Sequence, residues 1–130
     1  MSDLTPTEKE YRSIPQLLMR EVRGFAESPE YRSLENHGLE LPGVVCGALV
    51  RFLTRLQKRA IESTMDKEAA ESLVDSYRVV EQLSSSSDPD VVNAVVVEIF
   101  ENLDCEPRVL EAIKARLGKV SRHLYEEWIS

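Results

Sequence analysis

The stretch "DPDVVNAVVVEIF", residues 88–100, decides the fold class because its composition fits a buried strand and its spacing fits a helix. Five valines and one isoleucine favour a strand. Helical spacing, however, sorts the segment into two faces. The apolar face holds Val92, Val95, Val96, Ile99, Phe100 and Leu103, and the other holds Asp90, Ala94, Glu98 and Glu101. No other segment alternates apolar and polar residues or offers a hairpin turn, so a strand would lack a partner, and we predict a helix.

Proline marks the start of most other predicted helices. Five prolines stand where a helix would begin, at Pro6, Pro29, Pro42, Pro89 and Pro107. Thr5 and Glu8 form a capping box around the first of these prolines, and Ser28 and Asp88 are predicted capping residues before two others. The prolines therefore divide the chain into short helical units.

Three further signals set the predicted helix boundaries. Pro15 lies inside an N-terminal helical pattern and should break or kink it near Ser13. Gly38 is the predicted stop of the helix that follows residue 29. Ser63 and Asp66 have capping-box spacing and predict a start without proline.

Apolar residues recur at intervals of three and four over residues 43–61, 65–84 and 113–128. In the last range Gly118 favours a break or bend, and Trp128 continues the apolar stripe, which predicts core packing for its ring. We therefore predict an all-α fold with about six helices. Residues 1–130 would form a single domain, either a helical bundle or a short HEAT-like stack.

Charge is unevenly distributed along the chain. The net charge is −7, with +1 on residues 1–60 and −8 on residues 61–130. An acidic field of this kind repels nucleic acid and anionic membranes and attracts a basic protein, although it is also an ordinary source of solubility. The sequence shows no secretory signal and no apolar run that could span a membrane. Cys46 and Cys105 form no metal or redox motif, so we predict free thiols and a cytoplasmic location.

Recognisable catalytic and metal-binding motifs are absent from the sequence. His37 stands at a predicted helix end beside a glycine, which is typical of a helix cap, and His123 lies on the last helix. No zinc, calcium, nucleotide-binding or nucleophile-elbow pattern occurs. We therefore predict that the protein is not an enzyme and uses no metal or cofactor.

Acidic side chains recur at helical spacing in two places. Glu68, Glu71 and Asp75 follow one another at intervals of three and four, with only Arg78 placed to relieve their repulsion. Asp90, Glu98 and Glu101 are spaced in the same way on the second segment, with Ala94 in the gap between the first two. Three interpretations of these acids are open. They form a solvated face, they form a surface that a basic partner neutralises, or two of them form a catalytic carboxylate pair. The third alternative lacks a nucleophile or a metal-organising group nearby.

Three stretches together are similar to a known group of proteins: "YRSLENHGLELPGVVCGALVRFL" (31–53), "SSSSDPDVVNAVVVEIFENL" (84–103) and "LYEEW" (124–128). They resemble small bacterial helical immunity proteins of polymorphic toxin systems, including contact-dependent growth inhibition. The similarity covers about residues 30–130. The matching residue types are Asp88, Val91, Val96, Glu98, Glu101, Leu103 and Trp128.

The resemblance implies that the protein binds a cognate toxin domain, often a basic nuclease, and covers its active site. An acidic surface suits this function because it mimics phosphates and accelerates association. The expected partner-binding residues are Glu68, Glu71, Asp75, Glu98, Glu101 and Asp104. Two alternatives remain: a helical adaptor for a peptide or partner protein, which predicts salt-insensitive binding in an apolar groove, and a small hydrolase, which predicts a deep pocket.

Overall fold

The computed structural model describes residues 10–34 and 36–129, apart from the side chains of residues 36 and 37. Within these ranges the chain contains no strand, which confirms the predicted all-α fold. The α-helices are α1 (Ile14–Glu21), α2 (Pro29–Arg32), α3 (Pro42–Glu62), α4 (Lys67–Ser84), α5 (Pro89–Ala94), α6 (Pro107–Arg116) and α7 (Lys119–Trp128). Short 3-10 helices span Asn36–Glu40 and Phe100–Asn102, and a π-helix spans Val95–Ile99. No helix of the described ranges is long and apolar enough to cross a membrane.

Helix α3 is the centre of the fold. It packs against α1, α2, α4, α5, α6 and the π-helix, and its middle turns are buried on most sides, from Val45 to Leu53. The aromatic ring of Phe25 meets Phe52 of α3 edge-on, with ring centroids 5.6 Å apart. A single apolar core therefore surrounds one helix, and the architecture is a bundle.

Most of the predicted helix starts are confirmed. The Ser28 hydroxyl accepts a hydrogen bond from the Tyr31 N–H at 3.2 Å, and the Asp88 carboxylate accepts one from the Asp90 N–H at 2.8 Å. Proline occupies the first turn of α2, α3, α5 and α6, where a missing N–H costs no intrahelical bond. The capping box at Thr5 and Glu8 lies outside the described residues.

Two predicted boundaries are wrong. Gly38 does not stop α2, because that helix already ends at Arg32 and the glycine lies within the first 3-10 helix. Ser63 does not begin α4. Instead it ends α3, with its N–H donating to the Arg59 carbonyl, and Asp66 caps α4 by accepting from the Ala69 N–H at 2.7 Å.

Two predicted interruptions are confirmed. The helical turn over residues 10–12 ends before Ser13, and α1 begins after it at Ile14. Gly118 separates α6 from α7. A methyl group at residue 118 would overlap with the Glu81 carboxylate, so glycine permits α4 to approach the start of α7.

Residues 88–103 form a helix of changing geometry, as α5 passes into the π-helix and then into the second 3-10 helix. The predicted helix is confirmed, but its predicted faces are partly wrong, because Ala94 is only 4% exposed. A regular α-helix that buries Val91, Ala94 and Val95 would turn residue 98 inwards next. The wider π turn contains one extra residue per turn, so Ile99 is buried there and Glu98 lies at the surface boundary.

Candidate partner-binding surface

Two of the predicted binding residues make ion pairs within the protein. Glu71 pairs with Arg23, a residue of the turn after α1. Asp75 is 9% exposed, pairs with Arg78 at 3.0 Å and accepts a hydrogen bond from the Arg23 N–H at 3.1 Å. Arg78 pairs with Asp75 as its spacing indicates, but the prediction that only Arg78 relieves these acids is wrong, because the turn at Gly24 brings Arg23 back to α4. Their role in partner binding stays a prediction.

The side chain of Glu98, a residue of the π-helix, lies against the start of the central helix α3. A Cβ atom added to Gly43 would come within 3.3 Å of the Glu98 carboxyl carbon, so glycine leaves room for this side chain. The positive end of the α3 dipole favours a carboxylate there. Burial, followed by the charge of Glu98, raises the pKa of the Cys46 thiol to about 12. Glu98 thus stands over the first turn of α3 and close to a buried, protonated cysteine.

Glu68, Glu101 and Asp104 are exposed. Glu68 lines a shallow depression beside Gly24 and Phe52, whereas Glu98 lines another beside Tyr11 and Asp90. Across residues 10–34 and 36–129, no hydrogen bond or ion pair links the three acids of α4 to those after residue 95. The structure does not unite the six predicted residues into one site.

A different group of acids surrounds Tyr11. Glu40 and Asp90 line one depression with this tyrosine, and Asp90 and Glu98 line the adjoining one. The pKa of Tyr11 is raised first by burial, then by repulsion from the Cys46 sulfur when that thiol is ionised, and then by the carboxylates of Asp90, Glu98 and Asp88. At neutral pH Cys46 is protonated, so the carboxylates supply the negative charge near this ring.

Sequence reasoning placed Asp90 on the same helical face as Glu98 without including it among the expected binding residues, and it missed Tyr11 and Glu40. These residues are far apart along the chain, and only the packing of the N-terminal turn against the starts of α3 and α5 brings them together. One signal was available: Glu40 and Asp90 both lie next to the proline-marked start of a helix, where N-terminal dipoles favour acids.

The described residues contain little that resembles a reaction centre. They hold no group of three or more histidine, cysteine, aspartate or glutamate side chains arranged for a metal ion. His123 is exposed, with its Nε2 atom 3.6 Å from the Glu127 carboxylate, and the His37 side chain lies outside the described atoms. Cys46 and Cys105 are free thiols, as predicted, but only Cys46 is buried as the sequence indicated, whereas Cys105 is partly exposed. That the protein is not an enzyme stays a prediction.

Trp128 contradicts its predicted place in the core, because 64% of it is exposed. Ser121, Leu124 and Tyr125 are buried on α7, and the ring of Tyr125 meets Phe100 edge-on at 5.4 Å. Helical spacing gives the direction of a side chain around the axis, but it does not say how far the neighbouring helices extend along it. Trp128 is the last residue of its helix and projects into solvent.

The protein is thus an all-α bundle. Some of its acidic side chains, such as Glu71 and Asp75, pair with arginines, and others, such as Asp90 and Glu98, make no ion pair within the described residues. The chain belongs to the family described as Domain of unknown function (DUF7674), whose model matches residues 16–130. No curated protein and no solved structure gives a significant match.

Proposed function

We propose that this chain is a protein-binding domain that engages a basic protein, and that this partner is a toxin domain which it neutralises in the cytoplasm. One observation carries the proposal: Glu40, Asp90 and Glu98 line two depressions that share Tyr11, and no ion pair within the described residues involves any of them. Three such carboxylates repel one another, and a basic partner would relieve that repulsion on binding.

The basic side chains of the chain support the same conclusion. Arg55 of α3 makes two hydrogen bonds to Glu30, at 2.7 and 3.0 Å, and Lys58 pairs with Glu106 at 3.2 Å. These two cations are engaged by other acids, and Arg12 is the one cation that lines the surface at Tyr11, against three acids. The toxin part of the proposal rests on the sequence resemblance to immunity proteins, and the acidic surface is compatible with it.

A second candidate is the helical adaptor, which the exposed Trp128 favours. Exposed tryptophans are frequent anchors of protein interfaces, and Val120 on the same helix is 40% exposed. An adaptor that binds through the exposed apolar side chains of α7 would retain its partner at high salt, whereas an electrostatic complex weakens as salt screens the charges.

The test is affinity capture of tagged protein from the cells that encode it, with washes at low and high salt. We expect a basic protein that is held at low salt and released at high salt. The captured domain, expressed alone, should then arrest growth, and co-expression of this chain should restore it. If a protein is captured equally at low and high salt, and Trp128→Ala abolishes its capture, the adaptor is favoured. If the captured domain does not arrest growth, the proposal that this chain neutralises a toxin is refuted.

A further inference from the structure

Two adjoining depressions form one groove on the surface. The larger, of about 650 Å³, and the smaller, of about 300 Å³, share Tyr11 and Asp90 in their lining. Pro42 lies in the first, and Val97 and Glu98 lie in the second. This surface is termed the Tyr11 groove. It lies where the N-terminal turn, the start of α3 and the π-helix meet.

The groove combines negative charge with apolar surface. Its lining includes the carboxylates of Glu40, Asp90 and Glu98 and one cation, Arg12, so acids outnumber bases. Val97 is 39% exposed and supplies an apolar wall. Lysine and arginine side chains match such a surface, because their methylene groups pack on apolar atoms while the charged end reaches a carboxylate.

A buried carboxylate with an unpaired oxygen lies at the start of α5, the helix that carries Asp90 of the groove. Asp88 has no exposed surface, and while its Oδ1 atom caps α5, its Oδ2 atom has no hydrogen-bond partner among the described residues. Buried polar atoms are almost always hydrogen-bonded, so an unpaired one needs an explanation. Asp88 does not line the groove, and its charge makes the smallest of the contributions that raise the pKa of Tyr11.

The backbone of the groove wall is unusual in the same place. Val97 and Glu98 belong to the π-helix, and the Asn102 amide donates to the Glu98 carbonyl at 2.9 Å where that turn ends. π turns are rare in proteins, and those that occur often lie at functional sites, because they change the direction of side chains. Here the turn leaves Val97 exposed and directs Glu98 over Gly43.

We propose that the Tyr11 groove is the contact site for a lysine or arginine side chain of the basic protein partner, an inference that rests on the proposed function. The cation would sit between Asp90 and Glu98, and its methylene groups would contact Val97. The ring of Tyr11 offers a further contact for the cation. On this assignment, the interface is centred on α5 and the π-helix rather than on the acidic residues of α4.

The groove is tested by NMR titration of the whole labelled chain with a synthetic amphipathic peptide of lysine and leucine. We expect the largest shift changes at the amides of Tyr11, Asn93 and Val97. The double variant Asp90→Asn with Glu98→Gln should weaken peptide binding about tenfold, because two charge pairs between the groove and the peptide are lost. The double variant Glu27→Gln with Glu111→Gln is the matched control, because it changes the net charge equally at two exposed acids outside the groove and should weaken binding less than about threefold.

A second variant guards against a loss of structure in the first. Asn93→Lys places a cation in the groove without removing a carboxylate, and it should also abolish the peptide-induced shifts. Equal weakening by groove and control variants, or shifts centred on Glu68, would overturn the proposal. Shifts produced by spermidine but not by the peptide would also overturn it in favour of a small-amine site.

The two proposals can fail separately. If the native basic partner binds the groove variants as tightly as it binds the control, the groove is refuted and the proposed function stands. If no basic partner is captured while the peptide still binds at Tyr11, the proposed function fails and the groove remains a cation-binding surface.

Discussion

Glu81 of α4 caps the last helix, α7, although it lies 39 residues before Val120 in the sequence. Removing its side chain should destabilise the fold measurably. Its carboxylate oxygens accept hydrogen bonds from the backbone N–H groups of Val120 and Ser121, both at 2.9 Å, at the start of α7. No side chain at Gly118 can cap this helix. A lost cap costs roughly 1 kcal/mol, and the lost charge at the helix dipole costs roughly 0.5 kcal/mol more. Glu81→Ala should therefore lower the free energy of unfolding by about 1.5 kcal/mol and the Tm by about 5 °C.

The stabilisation by Glu81 should depend on pH in a defined direction. Burial raises its pKa, but the hydrogen bonds from Ser121 and Val120 outweigh burial and hold the pKa below its usual value. The stabilisation is thus complete above the unfolded glutamate pKa of about 4.3 and is lost as the pH falls through the folded pKa.

Urea unfolding of wild type and Glu81→Ala at neutral pH and near pH 3 measures both effects. The difference between the two proteins should be largest at neutral pH and should shrink in acid. Glu27→Ala, at an exposed acid of the turn before α2, is the control and should change stability by less than about 0.5 kcal/mol. A Glu81→Ala protein as stable as wild type, or a difference that grows in acid, would refute the capping argument.

Three further outcomes are expected. Trp128, the only tryptophan, should emit at long wavelength and be quenched readily by acrylamide, and Trp128→Ala should cost less than about 1 kcal/mol; a loss of about 3 kcal/mol would place the ring in the core. Native protein should react with a thiol reagent at Cys105 and not at the buried Cys46, and rapid modification of both thiols without unfolding would contradict the burial. Gly24→Ala should lower stability by about 1 kcal/mol in thermal melts, since the residue has φ +78° and a Cβ would lie 3.2 Å from the Ser72 hydroxyl; an unchanged Tm would disprove the strain.

Local signals in the sequence predicted most of the fold. Ser28 and Asp88 cap helices as predicted because a cap needs only residues three or fewer positions apart. Ser63 and Asp66 show the limit of such signals, because both residue types are common helix caps. Ser63 follows the last residue of α3, and the chain is extended there, so the cap of α4 is Asp66.

The surface was harder to predict because it depends on which segments meet. The pairing of Asp75 with the Arg23 amide joins residues 52 positions apart, and no spacing rule reports it. Glu98 was predicted from its place on a helical face, yet its surroundings at Tyr11 and Gly43 come from three separate segments. Helical period thus predicts an acidic face, and tertiary packing determines which acids share it.

The π turn at Val95–Ile99 also has a consequence for comparing sequences within this family. A π turn accommodates one residue more than an α turn does, so it is equivalent to a single-residue insertion absorbed without a loop. A relative with a regular α-helix in this place would be one residue shorter, and a correct alignment would open a one-residue gap inside an unbroken helix. Alignments that forbid gaps in helices would instead shift one side of the turn by one position and pair Glu98 with the wrong residue.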